Sequence, residues 1–263
     1  MRRLGFRYLV LGIIGLAATV SLTTCGIETV ATLQPPIFTS TGAASLSLIH
    51  NTANSDSTSC KGYDIYYRAY ATQANADSAR QAVEQATAAS TASPETVLAL
   101  LQTSGFTRIF DANGLDGANG TRPLFYVSAS EIATAVTYQI QLDSTPSSSP
   151  NSTATLSGSN SPLFASGFSS WYFTRSVAIP TTRHVSISRS ISTSNSPVSF
   201  ESNYSPTDAD YNGSGQAANS TLYFVFFAVV YGLDTSSGSF SFLYSFPTSL
   251  FTSVPYTLSS PVQ

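Results

Sequence analysis

The sequence predicts a mainly β fold interrupted by a pair of short α-helices and by long polar loops. Three observations carry that expectation. The chain holds 14 Tyr and 16 Phe while only 10% of its residues are charged, whereas a chain unable to bury a core shows few aromatics and high charge. Several segments alternate in side-chain character with the period of two that belongs to strands. Between two of them, the stretch from Asp77 to Ser104 switches to helical spacing.

The first 24 residues stand apart from that pattern. Arg2, Arg3 and Arg7 precede an apolar run from Tyr8 to Val20. The run is shorter than the roughly 20 residues a membrane-spanning helix needs, and a basic start before a short apolar run describes a secretion signal. Leu22-Thr23-Thr24-Cys25 then resembles the lipobox of bacterial lipoproteins, with Thr24 where that family mostly carries Gly, Ala or Ser. The resemblance implies that Cys25 takes the lipid and becomes the new N-terminus. It places the protein at the cell envelope, at the outer membrane in preference to the inner. The expected organisation is a signal over 1–24, a lipidated tether over 25–36 ending in Pro35-Pro36, and one β domain over 37–263 with a helical insertion at about 76–105.

Charge and cysteine content narrow the partners. Three of the eleven basic residues leave with the signal, so eight face fourteen acidic residues, a formal charge of −6. Lys61 is the only lysine. Binding to nucleic acid needs clustered Lys and Arg to displace counterions, so nucleic acid is excluded as a partner. Cys25 and Cys60 are the only cysteines, too few for a disulfide framework. With Cys25 lipidated, Cys60 is a lone thiol; without the lipid, the two are able to pair.

In chain order, Ala44 to His50 alternates, with Leu46, Leu48 and His50 on one face. After a polar loop over Asn51 to Lys61, Gly62 to Tyr70 is rich in the aromatic and β-branched types that suit a pleated surface. Tyr63, Ile65 and Tyr67 point one way; Asp64, Tyr66, Arg68 and Tyr70 point the other. Asp77 to Ala89 predicts a first helix, with Ala79, Ala82, Val83 and Ala86 on one side. Ser93-Pro94-Glu95 starts a second with an N-cap and a first-turn proline, and Gly105 stands where a C-terminal glycine belongs. Strands are expected at Phe106 to Phe110, Leu124 to Val127, Ala135 to Leu142, Ser170 to Ala178 and Arg183 to Ser190, with a short one at Pro197 to Glu201. Ser144 to Ser161 reads as a Ser/Pro/Asn-rich loop. Thr221 to Tyr231 is apolar on both faces, the mark of a strand covered on both sides, and Ser239 to Ser245 returns before Pro247.

These strands resemble a fibronectin type III β-sandwich. Leu46-x-Leu48-x-His50 sits where that family's second strand has Leu-x-Leu-x-Trp, and Gly62 to Arg68 is similar to its third strand, Gly-Tyr-x-Val-x-Tyr-Arg. Tyr223-x-Val225-x-Phe227 resembles its sixth strand, and Tyr244-Ser245-Phe246-Pro247 its last. His50 replaces the buried tryptophan, and the span between strands three and six exceeds what a module of about 100 residues allows. Together with the lipobox, the Pro-Pro tether and the Tyr231-Gly232-Leu233-Asp234 turn, the ends of the chain look like lipoproteins of spirochaete type. That family has no assigned activity, so the resemblance implies a location and a fold, and no chemistry.

Two constellations merit a functional reading. The outward stripe Asp64, Tyr66, Arg68 and Tyr70 offers aromatic area and hydroxyls beside a charge pair, suited to a protein or glycan partner; the structural alternative is that the inserted helices cover it. Asp208-Ala209-Asp210-Tyr211-Asn212-Gly213 fits the first half of a calcium loop, with Asp208, Asp210 and Asn212 as oxygen ligands. Position twelve of that loop is Asn219 instead of a bidentate Glu, which favours a plain turn. Catalysis has little support. His50 and His184 are the only histidines, His50 on an inward face as a satisfied core residue, and there is no Gly-x-Ser-x-Gly elbow. The expectation is therefore a non-enzymatic, lipid-anchored envelope protein with a binding or structural role, and the alternative a calcium-dependent binding protein or enzyme built on Asp208 and Asp210.

Overall fold

The computed structural model describes residues 32–39, 45–56, 59–111, 125–127, 132–142, 153–157, 184–189, 198–199, 204–215, 221–234, 241–249 and 254–257. In chain order these form β1 (Ile37–Thr39), β2 (Ser45–Ile49), β3 (Cys60–Tyr70), α1 (Gln73–Ala88), α2 (Pro94–Thr103), β4 (Thr107–Arg108), β5 (Phe110–Asp111), β6 (Phe125–Tyr126), β7 (Thr137–Gln141), β8 (Thr153–Ser157), β9 (His184–Arg189), β10 (Val198–Ser199), β11 (Tyr211–Asn212), β12 (Thr221–Asp234), β13 (Ser241–Tyr244), β14 (Thr248–Ser249) and β15 (Val254–Thr257). The protein is mainly β, with two helices among the described residues.

Two sheets result. One runs β1-β2-β7-β8-β9-β10, with β5 also on β9. The other runs β11-β3-β12-β13, with β4 and β6 on β3 and with β14 and β15 on β12. All pairings are antiparallel except the two-residue β11–β3 bridge. At its centre, β3 and β12 pair from Tyr223↔Tyr70 to Gly232↔Cys60, with a register shift between Tyr231 and Gly232.

That central pair is covered on both faces, which explains why β12 is apolar throughout. Leu222, Phe224, Phe226, Ala228 and Val230 join Tyr63, Ile65 and Tyr67 in one cluster with Leu46, Leu48, Tyr138 and Ile140 of the other sheet. Val225, Phe227 and Val229 join Tyr66 and Tyr70 in a second cluster with Ala76, Val83, Val97, Leu98 and Leu101 of the helices. Two antiparallel sheets sharing an apolar interior are consistent with a β-sandwich, here with a helical layer over one outer face.

Both helices begin as local chemistry dictates. Thr72 caps α1, its hydroxyl accepting from Asn75 N–H, so the helix starts at Gln73, before the expected Asp77. Ser93 and Thr96 form a capping box on α2, with Pro94 in the first turn. At its end, Phe106 N–H donates to Leu101 C=O and Gly105 N–H to Gln102 C=O, the Schellman pattern, with Gly105 left-handed at φ +81°.

Three expectations are corrected. The tether was expected to run to Pro36, but Leu33 is in the sheet–sheet cluster and Pro36 is buried. Gln34 N–H donates to Asn54 Oδ1 at 2.7 Å while Asn54 Nδ2 donates to Gln34 C=O at 2.7 Å, and Asn51 Nδ2 donates to Pro35 C=O; two loop amides thus satisfy the extended backbone. The supposed loop Ser144–Ser161 contains β8, which pairs with β7 and β9; ladder bonds hold a strand whose composition is mostly polar. The expected strand Phe106–Phe110 is two strands, β4 on β3 and β5 on β9, so the chain crosses between sheets at Ile109, which is 1% exposed. The Ser170 to Ala178 strand lies outside the described residues.

Candidate functional site

The stripe on β3 shows what the helices do to the sequence reading. Asp64 is 3% exposed, Tyr66 6% and Tyr70 1%, so the proposed protein- or glycan-binding face is covered. The helices supply the reason: an aromatic strand face is apolar enough to be the floor of a second core. Arg68, half-buried, donates to Ser104 C=O at the end of α2 and lies over the Tyr70 ring at 5.6 Å. A cation at a helix C-terminus meets the negative end of the helix dipole, so Arg68 fastens α2 to the sheet. Asp64 pairs with Arg108 of β4 at 3.3 Å. The four residues share a face, and they bind the protein's own helices and strands.

Burial also sets the acid–base behaviour here. Desolvation pushes the Tyr66 hydroxyl well up, the Asp64 carboxylate adding to the rise and Arg108 opposing it. Tyr70 is pushed up to about 12 by burial, Arg68 opposing. The Cys60 thiol, 1% exposed, is likewise pushed up to about 12, chiefly by burial, with the Gly62 backbone and Lys61 opposing; this is an inert core thiol.

These shifts predict alkaline unfolding. The unfolded chain releases the Cys60 proton near 9.0 and the Tyr70 proton near 10.0, whereas the folded protein holds both to about 12. Stability is therefore intact below pH 9 and falls as pH rises toward 12, by up to about 1.4 kcal/mol per pH unit for each group. Urea midpoints taken from pH 7 to 11.5, followed by phenolate absorbance, should stay flat to pH 9 and then drop. A flat profile to pH 11.5 would contradict the burial described here.

The acidic loop is equally occupied. Asp208 Oδ2 accepts from Ser205 N–H at 3.0 Å, closing a turn. Asp210 is fully buried and its carboxylate accepts from Tyr67 O–H, while its C=O accepts from Ala69 N–H. Asn212 is exposed on β11, paired with Tyr70. Asp210 is thus held in the interior while Asn212 is outside, so the three expected ligands do not converge as a calcium loop requires. Among the described residues no group of three or more His, Cys, Asp or Glu comes together in a way that could hold a metal ion.

His50, as expected, is a satisfied core residue: it is fully buried, with Nδ1 2.6 Å from Tyr63 Oη and Nε2 3.0 Å from Ile132 C=O. The carbonyl assigns the proton to Nε2, so Tyr63 O–H donates to Nδ1 and itself accepts from Asn51 N–H. Cys25 lies outside the described residues.

No family model, curated protein or solved structure matches this chain. The site must therefore be judged on its own residues. Sequence reasoning missed Asn51 and Asn54, whose partners are 16 and 20 residues away, and it passed over Phe242, 44% exposed on β13. The signal available for Phe242 was an aromatic at the first turn of a returning strand, which composition alone does not separate from a core residue.

Proposed function

We propose that this is a lipid-anchored protein of the bacterial cell envelope, held by a diacylglyceryl group on Cys25, with a fibronectin-III-like β-sandwich in a non-enzymatic binding or structural role. The observation that carries the reading is the N-terminal pattern: three arginines, an apolar run too short to span, and Leu22-Thr23-Thr24-Cys25. The packing of the chain from Leu33 onward supports it, because a domain that begins within ten residues of Cys25 needs only a short leash. No helix among the described residues is long and apolar enough to cross a membrane; in this reading the attachment is made by the acyl chains on Cys25.

The sandwich assignment is supported by which segments lie side by side. The segments likened to the third, sixth and last fibronectin strands are β3, β12 and β13, adjacent in one sheet, and the segment likened to the second is β2, in the other sheet. That division follows the family's plan of C, F and G against B. A non-catalytic role draws support from the uses made of Asp64, Arg68, Arg108 and Asp210, each of which ties elements of the fold together, and of Asp208, which closes a turn.

The test is metabolic labelling with a fatty acid plus detergent phase partitioning, on wild type and Cys25→Ala. Wild type should take up label and enter the detergent phase, and Cys25→Ala should do neither. Mass spectrometry showing an unmodified Cys25 on mature wild-type protein would overturn the reading.

A further inference from the structure

The described chain starts at one end of the central sheet. Leu33 lies beside Gly232, where an added Cβ would come within 2.7 Å of its Cδ1, and the Gln34–Asn54 hydrogen bonds fix the chain there. At the same end β3 begins with Cys60 opposite Gly232, and the β12–β13 pairing continues past it through Leu233↔Phe242 to Asp234↔Ser241. Phe242 stands here 44% exposed, its ring 5.5 Å from Tyr231. Ile37, at the start of β1, is 51% exposed. These are two of the three large apolar side chains exposed among the described residues; the third is Leu100 on α2.

Chain length says what these side chains face. Thr32 is seven residues from Cys25, and seven residues reach at most about 25 Å. Leu33 lies beside Gly232, and the strand from Gly232 back to Thr221 extends over about 36 Å, so the Thr221 end stands farther from the start of the domain than the leash is long. A lipid on Cys25 therefore keeps the end bearing Phe242 nearer the bilayer than the leash allows the Thr221 end to be held.

We propose that the end of the domain around Phe242 is a docking surface for the bilayer that carries the Cys25 acyl chains, with Phe242 entering the interfacial region. Exposed aromatic and aliphatic side chains bind there by burying apolar area. Asp56 lies close enough to Lys61 to act on its charge, and Lys61 is the only lysine in the chain, so this end offers no lysine cluster for anionic lipid to select. The contact is apolar and indifferent to salt. It orients the domain with Thr221 and the β11 end pointing away from the membrane. The inference rests on the lipidated reading of Cys25.

The experiment uses full-length lipidated protein in phosphatidylcholine vesicles, with an environment-sensitive fluorophore at Ser241→Cys or at Thr221→Cys, both exposed positions. Cys60 is buried and does not compete for the label. The label at 241 should shift to the blue and be quenched several-fold less by aqueous iodide than the label at 221, with no change on adding salt or anionic lipid. Adding Phe242→Ser to the Ser241→Cys protein should raise quenching to the level seen at 221. Equal quenching at 241 and 221 on vesicle-bound protein overturns the docking surface and leaves the anchor standing. Protein that stays off vesicles with an unmodified Cys25 overturns both.

Discussion

Replacing Arg108 by alanine should destabilise the domain by about 3–5 kcal/mol, while replacing Arg108 and Asp64 together should cost far less. The Asp64 and Arg108 side chains are 5% and 10% exposed and meet at 3.3 Å. Deleting the guanidinium leaves the carboxylate in a setting of aromatic rings without its cation, and a buried charge so treated costs much more than the pair contributed. Protonation relieves that cost, so the Arg108→Ala protein should recover part of its loss in acid. The double variant Asp64→Asn with Arg108→Ala removes the charge on both sides and should lie closer to wild type than Arg108→Ala alone does. Urea midpoints for the four proteins of the cycle measure the coupling directly. Additive losses would mean that the two groups act independently and that β4 is held to β3 by its ladder bonds alone.

This pair illustrates how the polar residues that looked functional in the sequence are used. Asp64 ties β3 to β4 through Arg108, Arg68 ties the end of α2 to the same strand, and Asp210 ties β11 to Tyr67. Each connects segments distant in the chain, and each takes its side chain out of water. Among the described residues, the large apolar side chains that stay exposed are Ile37, Leu100 and Phe242.

The parts readable from residues alone were those governed by local rules. The run Thr221 to Tyr231 announces a strand covered on both faces because no alternation interrupts it, and Ser93, Pro94 and Gly105 mark the ends of α2 by capping and backbone freedom. Tyr63, Ile65 and Tyr67 were placed inward by period two, and they are. What the residues alone left open, or misplaced, concerns what a face meets. Tyr66 and Tyr70 carry hydroxyls that suit a wet surface or a core equally well, and only the packing of α1 and α2 decides between them. Asp210 reads as a ligand because its neighbours are Asp208 and Asn212, yet it is buried with its carboxylate accepting from Tyr67 O–H, a partner 143 residues away in the chain. Thr153 to Ser157 offers only Ala154 and Leu156 as an apolar face, inside a Ser/Pro/Asn-rich run, and its pairing with β7 is a property of β7 as much as its own. Asn54 clamps Gln34 through contacts that no local pattern encodes.

The two-faced core makes the sharpest prediction. Phe226 and Phe227 are adjacent on β12 and both fully buried, but they point into different clusters. Phe226 stacks with Phe224 at 5.8 Å and meets Tyr67 at 6.3 Å, between the sheets. Phe227 meets Phe106 edge-on at 5.2 Å, under the helices. Each Phe→Ala change should cost about 3–5 kcal/mol, from lost transfer energy and the cavity left behind. Since a typical domain has about 5–15 kcal/mol in all, either variant is near its threshold and the double variant should be unfolded. The consequences differ in place: Phe227→Ala should raise amide exchange in α1 and α2 while the β2–β7 ladder stays protected, and Phe226→Ala should do the reverse. Equal loosening of both layers by both variants would mean that the sheet faces one shared core, and the separation of the helical layer from the sheet–sheet interior would not stand.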